Sequence, residues 1–109
     1  MGLDLRLSYK KEESIYEGNG RTAFAFVKNW VLSKGEEFYG QDIQLTKEDV
    51  DTLIESAIVQ YLEDFDSKEE LIKEAISDYH TYFYTEFLGK LLAIKGSEDY
   101  SNYYLECDW

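Results

Sequence analysis

The chain has 109 residues, of which 44% are hydrophobic and 17% aromatic, so we expect one folded domain over residues 1–109 rather than a disordered segment. Its 23 acidic and 11 basic residues give a formal net charge of −12, which disfavours direct binding to nucleic acid or to an anionic membrane. The sequence shows neither a signal peptide nor an apolar run long enough to span a membrane, and Cys107 is its single cysteine. These features predict a cytosolic protein without an internal disulfide.

The first third of the chain predicts a strand, a turn and a helix. Apolar and polar residues alternate over residues 3–9, which is typical of a half-buried strand. Gly-Asn-Gly at residues 18–20 predicts a turn or a hairpin tip, with residues 14–16 as one arm. Residues 22–32 predict a helix that Gly35 ends. Since its apolar residues cover more than one face, we expect it to be buried on two sides, inside the domain.

The central part of the chain predicts an acidic amphipathic helix. A short strand over residues 41–45 leads into residues 46–64, where apolar residues recur at the 3.6-residue helical period. Thr46 and Asp49 have the spacing of a capping box, in which each side chain accepts a hydrogen bond from the other residue's backbone amide.

The last part of the chain predicts a long helix and a closing strand. Ser67 and Glu70 form a second capping-box pattern, and the apolar stripe that follows continues to about Lys95, with β-prone residues 82–84 marking a kink. We expect Gly96 to end this helix. Residues 103–109 alternate again and predict the last strand.

Together these elements predict an α+β fold. We expect a small, mainly antiparallel sheet of three or four strands, with three helices packed on one face.

Two short patterns imitate known binding motifs but lack their required context. Gly18-x-Gly20-x-x-Ala23 precedes a helix as a dinucleotide fingerprint does, yet the chain is too short for the doubly wound sheet that this motif needs. Asp64-x-Asp66 begins like a calcium loop, but Glu69 stands where that loop requires glycine.

The reactive side chains of His80 and Cys107 do not form part of a recognisable catalytic motif either. His80 is the only histidine, and Cys107 has no histidine near it in sequence that would activate a thiolate. We interpret His80 as a partly buried structural residue and Cys107 as a small, half-buried apolar one. The sequence therefore predicts a protein that is not an enzyme and that uses no cofactor and no metal.

Acidic residues dominate the chain after residue 35. Residues 1–35 carry six basic and four acidic residues, whereas residues 36–109 carry five basic and 19 acidic ones. At helical spacing, carboxylates three or four residues apart lie about one turn from each other and roughly follow the spacing of phosphates on nucleic acid. The predicted acidic face, either a partner-binding surface or a merely solvated one, comprises Glu48, Asp51, Glu55, Glu63, Asp64, Asp66, Glu69, Glu70, Glu74 and Asp78.

The ten tyrosines have two interpretations. Their rings can pack in a small core with the hydroxyls at its edge, or they can form a protein–protein interface, where tyrosine is enriched. The residues that we consider for an aromatic interface are Tyr82, Tyr84, Tyr100, Tyr103 and Tyr104.

Sequence features at the two ends of the chain and in its middle are similar to those of a known group of proteins. The chain begins MGLDL, has Trp30 in an aromatic helix, continues with a strand leading into an acidic helix, and ends YYLECDW. In these features it resembles a diffuse group of small phage and prophage proteins that begin MGLD and end in tyrosines and a terminal tryptophan. The group has no settled activity, so the resemblance implies a phage or mobile-element setting and transfers no site residue.

Two hypotheses for function follow. In the first, the protein acts in the host cytosol as an acidic decoy. Its nucleic-acid-like carboxylate surface would bind a basic, nucleic-acid-binding host defence protein and inhibit it, as anti-CRISPR and anti-restriction proteins do. In the second, it is a non-enzymatic homodimeric accessory or structural protein that assembles through its tyrosines, and its acidic residues serve only solubility.

Overall fold

One antiparallel sheet organises the domain. The computed structural model describes residues 2–77 and 82–109. The sheet has the strand order β2-β1-β4-β3, and every neighbouring pair is antiparallel. Its strands are β1 (Asp4–Tyr9), β2 (Glu13–Asn19), β3 (Ile43–Gln44) and β4 (Tyr103–Asp108). The last strand of the chain therefore lies in the middle of the sheet, between β1 and β3, and the predicted α+β fold is confirmed.

The alternation of residues along the strands decides which face of the sheet is covered. Leu5 and Leu7 of β1 pair with Cys107 and Leu105 of β4, and all four side chains are buried. Of the residues of opposite parity in β1, Asp4 is exposed and Arg6 is half-buried, whereas Ser8, at the irregularity in the β1–β2 pairing, is buried. Because the buried side chains share one face, the helices pack on that face, as the pattern predicted.

The prediction of a hairpin tip at residues 18–20 is wrong, although a turn does begin after Gly20 and residues 14–16 do form part of one hairpin arm. Gly18 and Asn19 lie within β2, and the hairpin turns instead at Lys10 and Lys11, whose φ angles are 53° and 65°. Gly18 has a packing role, because a Cβ there would lie 2.9 Å from the ring of Phe24. The sequence concealed this turn because lysine rarely adopts positive φ, whereas a Gly-Asn-Gly segment readily does.

Four α-helices cover the sheet in the described part of the chain. They are α1 (Ala25–Lys34), α2 (Lys47–Tyr61), α3 (Lys68–Ala75) and α4 (Thr85–Ser97). The capping box that begins α2 is confirmed: Asp49 N donates to Thr46 Oγ1, and Thr46 N donates to Asp49 Oδ2, both at 3.1 Å. The apolar stripe of α2 faces the core, where Val50, Leu53, Ile54, Ala57 and Tyr61 are buried.

The prediction of one long helix after Ser67 is wrong. Helix α3 ends at Ala75, a second helix starts at Thr85, and the two pack against each other. Gly89 permits this close approach, because a Cβ at that position would overlap the backbone carbonyl oxygen of Ala75. Helix α4 also continues past the predicted stop at Gly96 and ends at a left-handed cap, Glu98, with φ of 59°.

Aromatic rings connect the sheet to the outer end of the helices. Tyr16 of β2 packs against Phe24 and Phe87, and Tyr61 of α2 packs on Tyr84 with ring centroids 4.4 Å apart. Among the described residues, these contacts belong to a connected network of nine rings: Tyr16, Phe24, Phe26, Tyr61, Phe65, Tyr82, Phe83, Tyr84 and Phe87. Aromatic pairs at these distances stabilise a core beyond the area that they bury.

The pKa values of two tyrosines in this network are strongly raised. Burial, with a further contribution from Glu86, raises the pKa of Tyr16 to about 12. Burial raises the pKa of Tyr61 further, and its hydroxyl accepts and donates no hydrogen bond among the described residues. Both hydroxyls therefore stay protonated in the folded protein well above the pH at which a free tyrosine ionises.

The contact between α3 and α4 can be tested at its glycine. We expect Gly89→Ala to destabilise the fold by about 1–3 kcal/mol, because the added Cβ must push two backbones apart. Gly96→Ala is the matched control in the same helix, since no atom lies within 4 Å of its Cβ position. The control should be neutral or stabilising by up to about 1 kcal/mol, because alanine favours helices. Urea unfolding measures both, and equal effects would contradict this account of the contact.

The buried tyrosines predict that alkali weakens the fold. The unfolded chain ionises both hydroxyls above about pH 10, whereas the folded pKa values are higher, so the free energy of unfolding should fall as the pH rises past that value. Tyr61→Phe should reduce this loss. Near neutral pH the same variant should be as stable as the parent or more stable by about 1 kcal/mol, since it removes a buried hydroxyl without a partner. Urea unfolding from about pH 8 to about pH 11 tests this, and a pH-independent free energy would refute it.

Candidate functional site

The predicted acidic residues lie along one continuous stretch of the fold. Glu48, Asp51 and Glu55 project from α2, and Glu63 and Asp64 belong to the single 3-10 turn Leu62–Asp64 that follows it. Asp66 lies in the connection to α3, and that helix carries Glu69, Glu70 and Glu74. Asp78 lies outside the described residues.

Seven of these carboxylates are exposed, and five of the seven form no side-chain hydrogen bond or ion pair within residues 2–77 and 82–109. We call this set the free acidic row; its members are Glu48, Glu55, Glu63, Asp66 and Glu69. Glu48 and Glu55 are seven residues apart on α2, which corresponds to two turns and about 10.5 Å along the helix axis. The free acidic row therefore extends from the first turn of α2 to the first turn of α3.

The other predicted carboxylates have structural partners. Asp51 Oδ1 lies 3.2 Å from Lys95 Nζ on α4, so this acid joins two helices instead of standing in a row with Glu48 and Glu55. Asp64 accepts a hydrogen bond from the hydroxyl of Tyr84.

Two further acids belong to α3 itself. The backbone N–H of Glu70 donates to Ser67 Oγ at 3.1 Å, and its carboxylate accepts from Asp66 N at 3.3 Å, which satisfies orphan amides at the start of the helix. Glu74 is half-buried and also makes a contact of its own.

Asp49 connects α2 to α1. Besides capping α2, its carboxylate accepts a hydrogen bond from Lys34 Nζ at 2.9 Å. Lys34 also lies over the ring of Trp30, 5.1 Å from its centroid, and Trp30 Nε1 donates to Thr52 Oγ1 at 3.1 Å. The last turn of α1 is thereby fixed against the first turns of α2.

The other end of the same helix pair is fixed by Gln60. Its side-chain oxygen accepts from Phe26 N at 3.0 Å, and its side-chain nitrogen donates to the carbonyls of Thr22 and Ala23 at 3.0 and 2.6 Å. Since the start of α1 meets the end of α2, the two helices are antiparallel. The side chain of Gln60 therefore forms hydrogen bonds with the backbone at the start of α1. No local sequence pattern predicted this role.

A surface groove of about 850 Å³ runs between these two helices. One face of each helix lines it, and two members of the free acidic row lie along it. The lining residues are Phe26, Asn29, Trp30, Ser33, Lys34, Glu48, Asp49, Thr52, Glu55, Ser56, Val59 and Gln60. Sequence reasoning missed this groove, although the exposed apolar side chain of Val59 interrupts the polar face of α2 and could have indicated it.

The candidate interface tyrosines divide into two groups. Tyr82 and Tyr84 belong to the nine-ring network. Tyr103 packs edge-on against Tyr9 at 5.1 Å, and Tyr104 lies under Lys11 at 5.0 Å. Tyr100 is half-buried against the core. Most of these rings therefore have intramolecular neighbours, and the structure does not unite them in one patch.

Cys107 is more deeply buried than we expected. Its side chain is inaccessible, and burial, with smaller contributions from Asp108 and Asp4, raises the pKa of its thiol to about 12. A thiol with that pKa remains protonated at neutral pH and is a poor nucleophile. His80 lies outside the described residues.

Neither a cluster of metal ligands nor a helix suited to span a membrane occurs within residues 2–77 and 82–109. There, no three His, Cys, Asp or Glu side chains converge as metal ligands would. In the same residues, no helix has the length and apolarity that crossing a bilayer requires.

Comparison with protein-family models, with curated proteins and with solved structures finds no match for this chain.

The division between structural and free carboxylates predicts different effects for two neighbouring acids. We expect Asp49→Ala to destabilise the protein by about 1–3 kcal/mol, because it removes the cap of α2 and leaves Lys34 without its partner. Glu48→Ala changes the adjacent exposed acid and should cost about 0.5 kcal/mol or less. Urea unfolding of both variants at neutral pH checks this, and comparable losses would show that Asp49 has no special role.

Proposed function

We propose that this protein binds the basic surface of a nucleic-acid-binding protein and inhibits it by occupying the place of the nucleic acid. The observation that carries the proposal is the free acidic row, whose five carboxylates are exposed without a partner in the described chain. Such an arrangement keeps its full charge available to another molecule. The protein acts by binding, and the proposal requires neither catalysis nor a cofactor.

The distribution of lysines supports this function. Lys34 and Lys95 pair with Asp49 and Asp51, which hold helices together, and neither lysine neutralises the free acidic row. The formal net charge of −12 on 109 residues adds a long-range negative field. A field of this kind accelerates encounter with a basic partner and repels nucleic acid.

The setting comes from the resemblance to small phage proteins. A phage protein that blocks a basic nucleic-acid site in the host cytosol would be expected to act against a defence protein. We therefore propose a restriction enzyme or a CRISPR effector as the target, which makes this an anti-restriction or anti-CRISPR protein. This narrower identity depends on the resemblance, whereas the binding mode depends on the free acidic row.

The test is inhibition of DNA cleavage by purified restriction and RNA-guided nucleases. We expect inhibition at about 50 mM salt that weakens at about 200 mM, since the contacts replace those to phosphates. Neutralising three members of the free acidic row, by Glu48→Gln, Glu55→Gln and Glu63→Gln together, should weaken inhibition by about tenfold or more.

The matched control removes three exposed acids at the β1–β2 hairpin, by Glu12→Gln, Glu13→Gln and Glu17→Gln. It changes the net charge equally, so inhibition should stay within about twofold of the parent if position matters more than total charge. Equal inhibition by the first variant and the parent would refute the site. The function itself would be refuted if no nuclease is inhibited and if low-salt capture from host lysate recovers no nucleic-acid-binding protein.

A homodimeric accessory role is the second candidate. Ile76 and Phe83 are 63% and 60% exposed, which is high for large apolar side chains, and Tyr82 beside Phe83 is also exposed. Such side chains favour association when they form a patch. Light scattering at micromolar concentration distinguishes the two candidates, because the accessory role requires a dimer and the decoy acts as a monomer.

A further inference from the structure

We propose that the groove between α1 and α2 is a docking site for a basic amphipathic helix of a partner protein. The groove combines an apolar floor, unpaired acidic side chains along one wall and a length suited to a few helical turns. The decoy function needs only the exposed carboxylates and requires neither the apolar floor nor the length of the groove.

The shape of the groove fits a helix. Its lining residues on α2 extend from Glu48 to Gln60, which is about 18 Å along the axis, or a little over three turns. Its walls are the facing sides of two antiparallel helices, and a third helix laid between them would make the packing of a small bundle. Helices bind to other proteins in such grooves by their apolar faces.

Apolar contact is available along the groove. Val59 on the last turns of α2 is 75% exposed, the most exposed large apolar side chain in the described chain. Phe26 and Trp30 also line the groove and form part of its floor, with 7% and 8% of their surface exposed. The indole N–H of Trp30 is already bonded to Thr52 Oγ1, so the floor presents an apolar surface whose polar atom is satisfied. A leucine-type side chain from a partner would be well matched to this end of the groove.

The charges along the groove select a basic partner. Glu48 and Glu55 line it and are both exposed and unpaired in the part of the chain that the structure describes. Lys34 is the only cation among the lining residues, and the carboxylate of Asp49 compensates it at 2.9 Å. The wall formed by α2 therefore carries uncompensated negative charge at two points about 10.5 Å apart.

These two points define the pattern of the occupant. Residues i and i+7 of a helix lie on one face about 10.5 Å apart, so arginines or lysines at that spacing can meet Glu55 and Glu48 together. Apolar residues on the adjoining face would then contact Val59 and the floor. A second copy of this chain is a poor occupant, since its net charge of −12 repels the same wall.

The test uses a fluorescein-labelled amphipathic peptide of about four turns, with arginines seven residues apart and leucines on the adjoining face. Fluorescence anisotropy measures its affinity. Glu48→Gln with Glu55→Gln should weaken binding about tenfold, whereas the control Glu12→Gln with Glu17→Gln should change it less than about twofold. In NMR spectra, the amides that shift on binding should lie in α1 and α2.

Val59→Asp separates this docking site from general attraction to a basic molecule. It removes the apolar contact but adds negative charge, so docking in the groove should weaken about tenfold, whereas purely electrostatic binding should strengthen. Inhibition of DNA cleavage, as proposed above, should be unchanged or stronger in this variant. Loss of peptide binding with retained inhibition therefore identifies the groove as a site of its own.

Four results would overturn the proposal. The first is that Val59→Asp binds the peptide as tightly as the parent protein or more tightly, and the second is that a peptide of the same composition without an amphipathic face binds equally well. The third is that the shifted amides lie outside the two helices, and the fourth is that amides of the groove shift when the protein alone is concentrated. The last result would make a second copy of the chain the occupant.

Discussion

The carboxylate of Asp49 holds together the part of the molecule on which the candidate sites depend. It caps α2 through Thr46, and it accepts a hydrogen bond from Lys34 at the end of α1. Gln60 completes the arrangement at the opposite end of the same two helices. Because both ends are fixed by side chain-to-backbone or charge-assisted bonds, the helices stay antiparallel with a groove between them.

This arrangement also decides how charge is distributed. A lysine that pairs with a buried or half-buried acid is no longer available to neutralise an exposed one. Asp49 and Asp51 engage Lys34 and Lys95 in this way, and the exposed carboxylates of the free acidic row remain uncompensated. Exposed ion pairs contribute little to stability, so the absence of such pairs at the free acidic row costs the fold little free energy. The unpaired carboxylates in turn preserve a strong negative field.

The aromatic network explains how a short chain supports this surface. Nine rings of the described residues connect β2 to the ends of α2 and α4, and Gly89 lets α3 pack closely against α4. Rings bury much area with few rotatable bonds, which suits a domain of this size. The tyrosines that are numerous in the sequence are thus largely accounted for by intramolecular packing, and the polar surface is left to the acids of α2 and α3.

The sequence by itself determined the local elements. Alternation predicted β1 and β4, the 3.6-residue stripe predicted α2, and the capping spacing of Thr46 and Asp49 predicted where that helix begins. These are short-range properties, since hydrogen bonds and burial repeat along the chain with a fixed period. The acidic face could be predicted for the same reason, because Glu48, Asp51 and Glu55 occupy polar positions of α2, and Glu69 and Glu70 those of α3.

Only the tertiary structure decided the rest. The hairpin turn at Lys10 and Lys11, the break between α3 and α4, and the insertion of β4 between β1 and β3 all depend on contacts between residues distant in sequence. The same is true of the site, because Asp51 could be assigned to Lys95 only once α2 and α4 were packed together. Spacing along a helix shows which side chains share a face, but the partners of that face come from another element, and a pattern within one helix carries no information about them.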